Sequence, residues 1–138
     1  MTMNIELLEQ SFSTVKASSA DFTKTFYANL FADYPEVEPL FANAHMEAQG
    51  QKLFDSLVLT IDSLRKPDVL TATLKGLGTR HIKYGVLPQH YPMVGSSLLK
   101  SLESALGTDW TEEVKQAWIE AYTAVAQLML DGADKLES

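Results

Sequence analysis

Cysteine is absent from this 138-residue chain. Disulfides, thiolate metal sites, a cysteine nucleophile and thioether attachment of a chromophore all need a thiol, so none is available. Basic residues are scarce as well. Eleven Lys and Arg stand against 18 Asp and Glu, leaving a net charge of −7 and a pI near 4.8. Nucleic acids and anionic membrane surfaces are met by basic patches, so neither is an expected partner. No run of about 18 apolar residues occurs, so no membrane-spanning helix is expected. Met1-Thr2-Met3-Asn4 has no basic stretch leading into an apolar one. No secretory signal is read there, and the cytoplasm is the expected location. A glycine-rich phosphate loop and a G-x-S-x-G nucleophile elbow are both missing. So are the Glu-x-x-His pairs of di-iron bundles. His45, His81 and His90 are too scattered for an ordinary zinc cluster.

What remains is periodic and helical. Hydrophobic residues make up 46% of the chain and charged residues 21%, enough for a real core in one domain spanning residues 1–138. Ile5, Leu8, Phe12 and Val15 recur at helical spacing, as do Phe22, Phe26, Tyr27, Leu30 and Phe31. Ser19 or Asp21 is a candidate cap for that second segment. Tyr34-Pro35 stops it, because the residue before proline is pushed out of the α region. A short piece follows from Pro35 to Phe41, then a long one carrying Met46, Gln49, Leu53, Leu57, Ile61 and Leu64. Pro67 opens the next helix at its first position, and Gly85 is the expected cap at its end. Val86 to His90 reads as a loop. Tyr91-Pro92 starts a helix closed by Gly107. Asp109 and Glu112 make a capping-box pattern for the last helix, which presents Val114, Trp118, Ala121, Tyr122, Val125 and Leu128. From Asp131 the tail is polar and is expected to fray. The reading is all-α, about seven helices with short connections and no repeat.

One residue breaks the apolar pattern. Leu70, Leu74, Leu77, His81 and Tyr84 step by four, three, four and three, which is one helix face. An imidazole aimed into a core needs a partner, since an unpaired buried polar group costs about 1–3 kcal/mol. A backbone carbonyl or a carboxylate would serve. So would a metal: a haem asks the protein for a single axial nitrogen, because the porphyrin supplies four. Spacing alone leaves these open.

Around His81, the stretch Leu77-Gly78-Thr79-Arg80-His81-Ile82-Lys83-Tyr84-Gly85-Val86 and then His90-Tyr91-Pro92-Met93-Val94-Gly95 resembles the proximal region of bacterial globins. Upstream, Phe26-Tyr27-Ala28-Asn29-Leu30-Phe31, Tyr34-Pro35-Glu36-Val37 and Pro39-Leu40-Phe41 are similar to the same family. The resemblance runs over residues 5–130. It is nearest to the haem domain of flavohaemoglobins and to single-domain bacterial haemoglobins. It implies a globin fold sandwiching haem b (iron protoporphyrin IX), with His81 as the iron ligand. Tyr27 and Gln49 would be distal hydrogen-bond donors to a bound gas, with Leu53 beside Gln49. Phe41 would pack on the haem plane. Val86, Val94 and Leu98 would line the pocket, and Tyr91 would lie near His81. Arg80 and Lys83, which flank His81 on its helix, are read as solvated charges or as partners of the haem propionates. His45 and His90 read as exposed or capping loop residues.

The resemblance also implies function. The expected ligands are O₂, CO and NO. Reversible O₂ binding is the first reading, and NO dioxygenase activity the alternative. Turnover of NO would need electrons from a separate reductase, because no flavin- or nicotinamide-binding stretch lies within these 138 residues. A gas or redox sensor ranks lower, since no output domain is read here either. One departure from the flavohaemoglobin pattern concerns the glutamate that joins the proximal His and Tyr. The matching position is read as Ala133, flanked by Asp131 and Asp134.

Overall fold

The computed structural model describes residues 4–42, 45–83 and 89–137, with side chains as far as Arg80 in the second stretch and Gly132 in the third. Among the described residues, six α-helices carry the fold: α1 (Ile5–Lys16), α2 (Ser19–Asp33), α3 (Met46–Asp62), α4 (Pro67–Lys83), α5 (His90–Leu106) and α6 (Glu112–Glu137). Two 3-10 turns, Pro35–Phe41 and Gly107–Asp109, make the corners after α2 and α5. There is no strand among the described residues.

Local chemistry accounts for most of the boundaries. The Asn4 side chain accepts from the Leu7 amide at 3.2 Å and starts α1. Tyr34 (φ −135°, ψ 70°) leaves the helical region before Pro35 and ends α2. Pro67 opens α4. Gly107 ends α5 at φ 54°, where a side chain would be strained.

Tertiary context moved other boundaries. The Asp109–Glu112 capping box does not form. Asp109 closes a 3-10 turn in which the Trp110 amide bonds the Gly107 carbonyl at 3.1 Å, so the cap passes to Thr111. The Thr111 hydroxyl accepts from the Val114 amide at 3.2 Å. Neither Ser19 nor Asp21 caps α2. Ser18 stands at the cap without a side-chain bond, and Asp21 lies in the first turn, where a negative charge suits the helix dipole. His90 is the first residue of α5 and is buried, not an exposed loop residue. Pro92 is accommodated two residues later, within the first turn. The tail does not fray at Asp131; α6 stays helical to Glu137 because Gly132 lies on the backbone of α4. The expected cap Gly85 and the loop residue Val86 fall outside the described residues.

The core grows from these helices. The Phe12 ring stacks on Phe54 at 5.3 Å and meets Trp118 at 6.4 Å, tying α1, α3 and α6 together. The Trp118 indole donates to Ser11 at 2.9 Å, and the Ser11 hydroxyl donates to the Leu7 carbonyl at 2.7 Å. The polar end of the tryptophan is therefore satisfied inside the core.

The most extensive helix pair is α4 with α6, and the next is α2 with α5. Two glycines permit the first pairing. A Cβ on Gly78 would lie 1.9 Å from the Met129 carbonyl oxygen, and one on Gly132 would lie 2.1 Å from that of Lys75. By contrast, the nearest atom to a Cβ on Gly76 is the flexible Arg80 guanidinium at 3.8 Å. Alanine favours a helix over glycine by roughly 1 kcal/mol. Gly76→Ala should therefore raise stability by up to about 1 kcal/mol. Gly78→Ala should lower it by about 1–3 kcal/mol, because two backbones must separate. Urea unfolding of the two variants beside wild type tests this; equal effects would contradict the close contact.

Candidate haem and gas site

The expected distal residues assemble on α2, the following corner and α3. Tyr27 is 8% exposed on the buried face of α2. Its ring meets Phe26 edge-on at 5.0 Å, Phe31 at 5.9 Å and Phe41 edge-on at 5.5 Å. Phe41, at the end of the 3-10 turn, also packs on Phe31 at 5.5 Å. This aromatic cluster leaves the phenol little rotational freedom. Gln49, in the first turn of α3, hydrogen-bonds the Tyr27 side chain. Leu53 follows one turn later and packs, half-buried, against the core with Leu57.

Burial pushes the Tyr27 hydroxyl above the ordinary tyrosine value of 10.0, and the Gln49 bond pulls it back in part. Tyr27 thus keeps its proton at neutral pH. A groove of about 590 Å³ opens between α2 and α3 behind the same ring, with Thr23, Phe31, Gly50 and Phe54 among its walls.

Facing elements supply the other side. On α4, Leu70 and Leu74 are buried and Leu77 packs half-buried against the core. Position 81 continues that stripe in register and lies in the helix, while its side chain is outside the described residues. Val86 is outside them too. On α5, Tyr91 and Leu98 are buried and Val94 is half-buried. Arg80 is exposed, which suits a charge reaching a rim. His45 is exposed at the start of α3 and makes no side-chain cap.

A planar apolar group fits this arrangement. Helices α3 and α4 touch only sparsely, and Leu53, Leu57 and Leu77 remain half-buried on them. Two helices that leave leucines incompletely covered offer apolar surface to a third body.

Tyr122 was read as a core-face residue and has a second task. Its hydroxyl donates to the Tyr91 carbonyl at 2.7 Å. Its ring fills the notch left by Gly95, where a Cβ would lie 2.6 Å from the ring carbon Cε2. It therefore fixes the start of α5, where Tyr91 sits. The sequence signal was a phenol on an otherwise apolar helix face. His90 was missed as a buried residue because a polar loop was expected before Tyr91.

The sequence pattern of the globin family matches residues 24–129. A flavohaemoprotein of Rhodopirellula baltica is 30% identical over 128 residues, covering 91% of this chain and 31% of that protein. The chain thus spans about a third or less of the flavohaemoproteins it matches. A globin-like protein of Aquifex aeolicus is 30% identical over 134 residues, covering 97% of this chain and 94% of that one. Among solved structures, a bacterial globin from Campylobacter jejuni superposes with a TM-score of 0.84 at 26% identity, with 96% of each chain covered. An engineered carbene transferase, whose Rhodothermus marinus parent carries a provisional assignment as a nitric oxide dioxygenase, superposes with a TM-score of 0.87 at 30% identity, over 99% of this chain and 95% of that one.

Three tyrosines of this region, 27, 91 and 122, are all raised above 10.0, and burial is the first cause in each. A phenol with a raised folded-state value adds stability below pH 10 that is lost as pH climbs toward that value. Unfolding free energy should therefore fall steeply above about pH 10. Tyr122→Phe should flatten the fall while lowering stability at pH 7 by about 1 kcal/mol for the lost bond. Denaturant titrations at pH 7 and pH 10.5 check both signs.

Proposed function

Because the chain belongs to the globin family, we propose that it binds a diatomic gas reversibly at a haem iron held by His81, with Tyr27 and Gln49 as the distal donors. A haem held here would supply an iron centre able to take O₂, CO or NO. What the chain's own residues do follows from their placement. Position 81 lies in register with Leu70, Leu74 and Leu77, the expected place for a ligand entering from α4. Phe41, Leu53, Val94 and Leu98 provide apolar walls that exclude water, Val86 is assigned there from the sequence, and Arg80 is free to meet a propionate at the rim.

The observation that carries the reading is the Tyr27–Gln49 pair. The two side chains are hydrogen-bonded to each other, and burial keeps the phenolic proton in place. The pair thus sets a protonated phenol and an amide side by side as the proposed donors. Such a donor, fixed by aromatic rings, favours a ligand that carries negative charge over one that does not. O₂ gains more than CO.

A second reading rests on the flavohaemoprotein relatives, of which this chain spans about a third. The same site would convert NO and O₂ to nitrate with electrons from a reductase. Mixing the O₂-loaded protein with NO in the presence of a reductant separates the two. Repeated nitrate formation favours the enzyme, and a single stoichiometric conversion favours the binder.

A hydrogen bond to a charged group contributes about 1.5–3 kcal/mol, so Tyr27→Phe should speed O₂ release by roughly 10–150-fold. An unchanged off-rate would remove Tyr27 from the role. His81→Ala should lose the five-coordinate ferrous spectrum and His45→Ala should keep it; a normal ferrous spectrum without His81 would end the assignment.

A further inference from the structure

Behind the stripe that carries position 81, α4 is joined to α6 at backbone distance. Cβ atoms on Gly78 and Gly132 would strike the Met129 and Lys75 carbonyls, so no side chain separates the two helices there. One hydroxyl spans the contact. Thr79 Oγ1 lies 3.1 Å from the Lys75 carbonyl oxygen of its own helix and 3.0 Å from the Gly132 carbonyl oxygen of α6. A helical threonine ordinarily bonds the carbonyl four residues back and stops there. Here its single proton is shared between two helices in a three-centre bond.

Its place on the helix matters. At 3.6 residues per turn, Thr79 lies roughly 160° round α4 from position 81. The bond therefore holds the back of the helix whose front carries the proposed iron ligand. With side chains at about 5–6 Å from the axis, a rotation of about 10° moves a side-chain tip by about 1 Å. Functional constellations tolerate roughly half that displacement. Leu70 and Leu74 are buried, but Leu77, the stripe's last leucine before position 81, is only half-buried and restrains that end of the helix less. A directional bond from the Thr79 side chain to the backbone of α6 adds a restraint there.

We propose that Thr79 is a positioning residue that sets the rotation of α4 through the Gly132 carbonyl, and thereby tunes the bond between His81 and the haem iron. The inference rests on the reading of His81 as that ligand. Leu53 and Phe41 shape the pocket; Thr79 touches neither gas nor haem and acts only through the helix.

The test compares wild type with Thr79→Ala, Thr79→Val and Thr79→Ser as haem-loaded protein. Alanine removes the hydroxyl without crowding, valine removes it at equal size, and serine retains it. Two readouts follow the ligand: the iron–histidine stretching band of the ferrous, gas-free protein, and the rate of haem transfer to excess acceptor apoglobin. The band should shift or broaden, and haem transfer should quicken several-fold, in the alanine and valine variants, with serine restoring both. In the apoprotein, amide exchange over Thr79–Lys83 should quicken in the same two variants and not in serine. Loss of melting temperature with an unmoved band and unmoved haem transfer would overturn the proposal, leaving Thr79 a purely structural residue. His81→Ala run in parallel separates the two layers. An iron–histidine band that survives in His81→Ala overturns the ligand reading and with it the tuning, while the exchange result stands on the clamp alone.

Discussion

Two glycines bring α4 and α6 into backbone contact on the helix that carries position 81. Helix pairs in globular proteins ordinarily stand 8–10 Å apart, with side chains interlocking between them. Where the side chains are hydrogens, the helices approach until carbonyl oxygens set the limit. Backbone surfaces have no rotamers, so such a contact fixes the separation of the two helices. Here it also keeps the last turns of α6 helical, although their composition is polar.

The distal side is organised by a different constraint. A phenol in a low-dielectric pocket resists ionisation, and rings on three sides hold it in place. Gln49 adds a hydrogen bond to the Tyr27 side chain. Rigidity thus comes from separate sources, aromatic packing on α2 and glycine-mediated contact on α4. Tyr122 links a third element, since its hydroxyl and ring hold the start of α5 at Tyr91 and Gly95.

Much of this was legible from the chain. Apolar spacing located all six helices, and Pro35, Pro67 and Gly107 marked boundaries through effects that act within one or two residues. The family resemblance brought Tyr27, Phe41 and Gln49 to one place before any coordinates, and the structure holds those three side by side. Failures came where a residue's state depended on distant chain. Asp109 had the composition of a cap, but a 3-10 turn reached the position first. His90 looked solvated until α5 began one residue early and buried it.

The residues by themselves therefore determined the helical class, the apolar stripes and the absence of thiol chemistry, because propensity, periodicity and composition are local properties. Tertiary structure alone decided the rest. Whether Gly78 and Gly132 are gaps or contacts depends on where Met129 and Lys75 lie, more than 50 residues away in the chain. Whether the Thr79 hydroxyl serves one helix or two depends on the same approach. A pattern records which atoms are available; only the packed chain sets the distance between them.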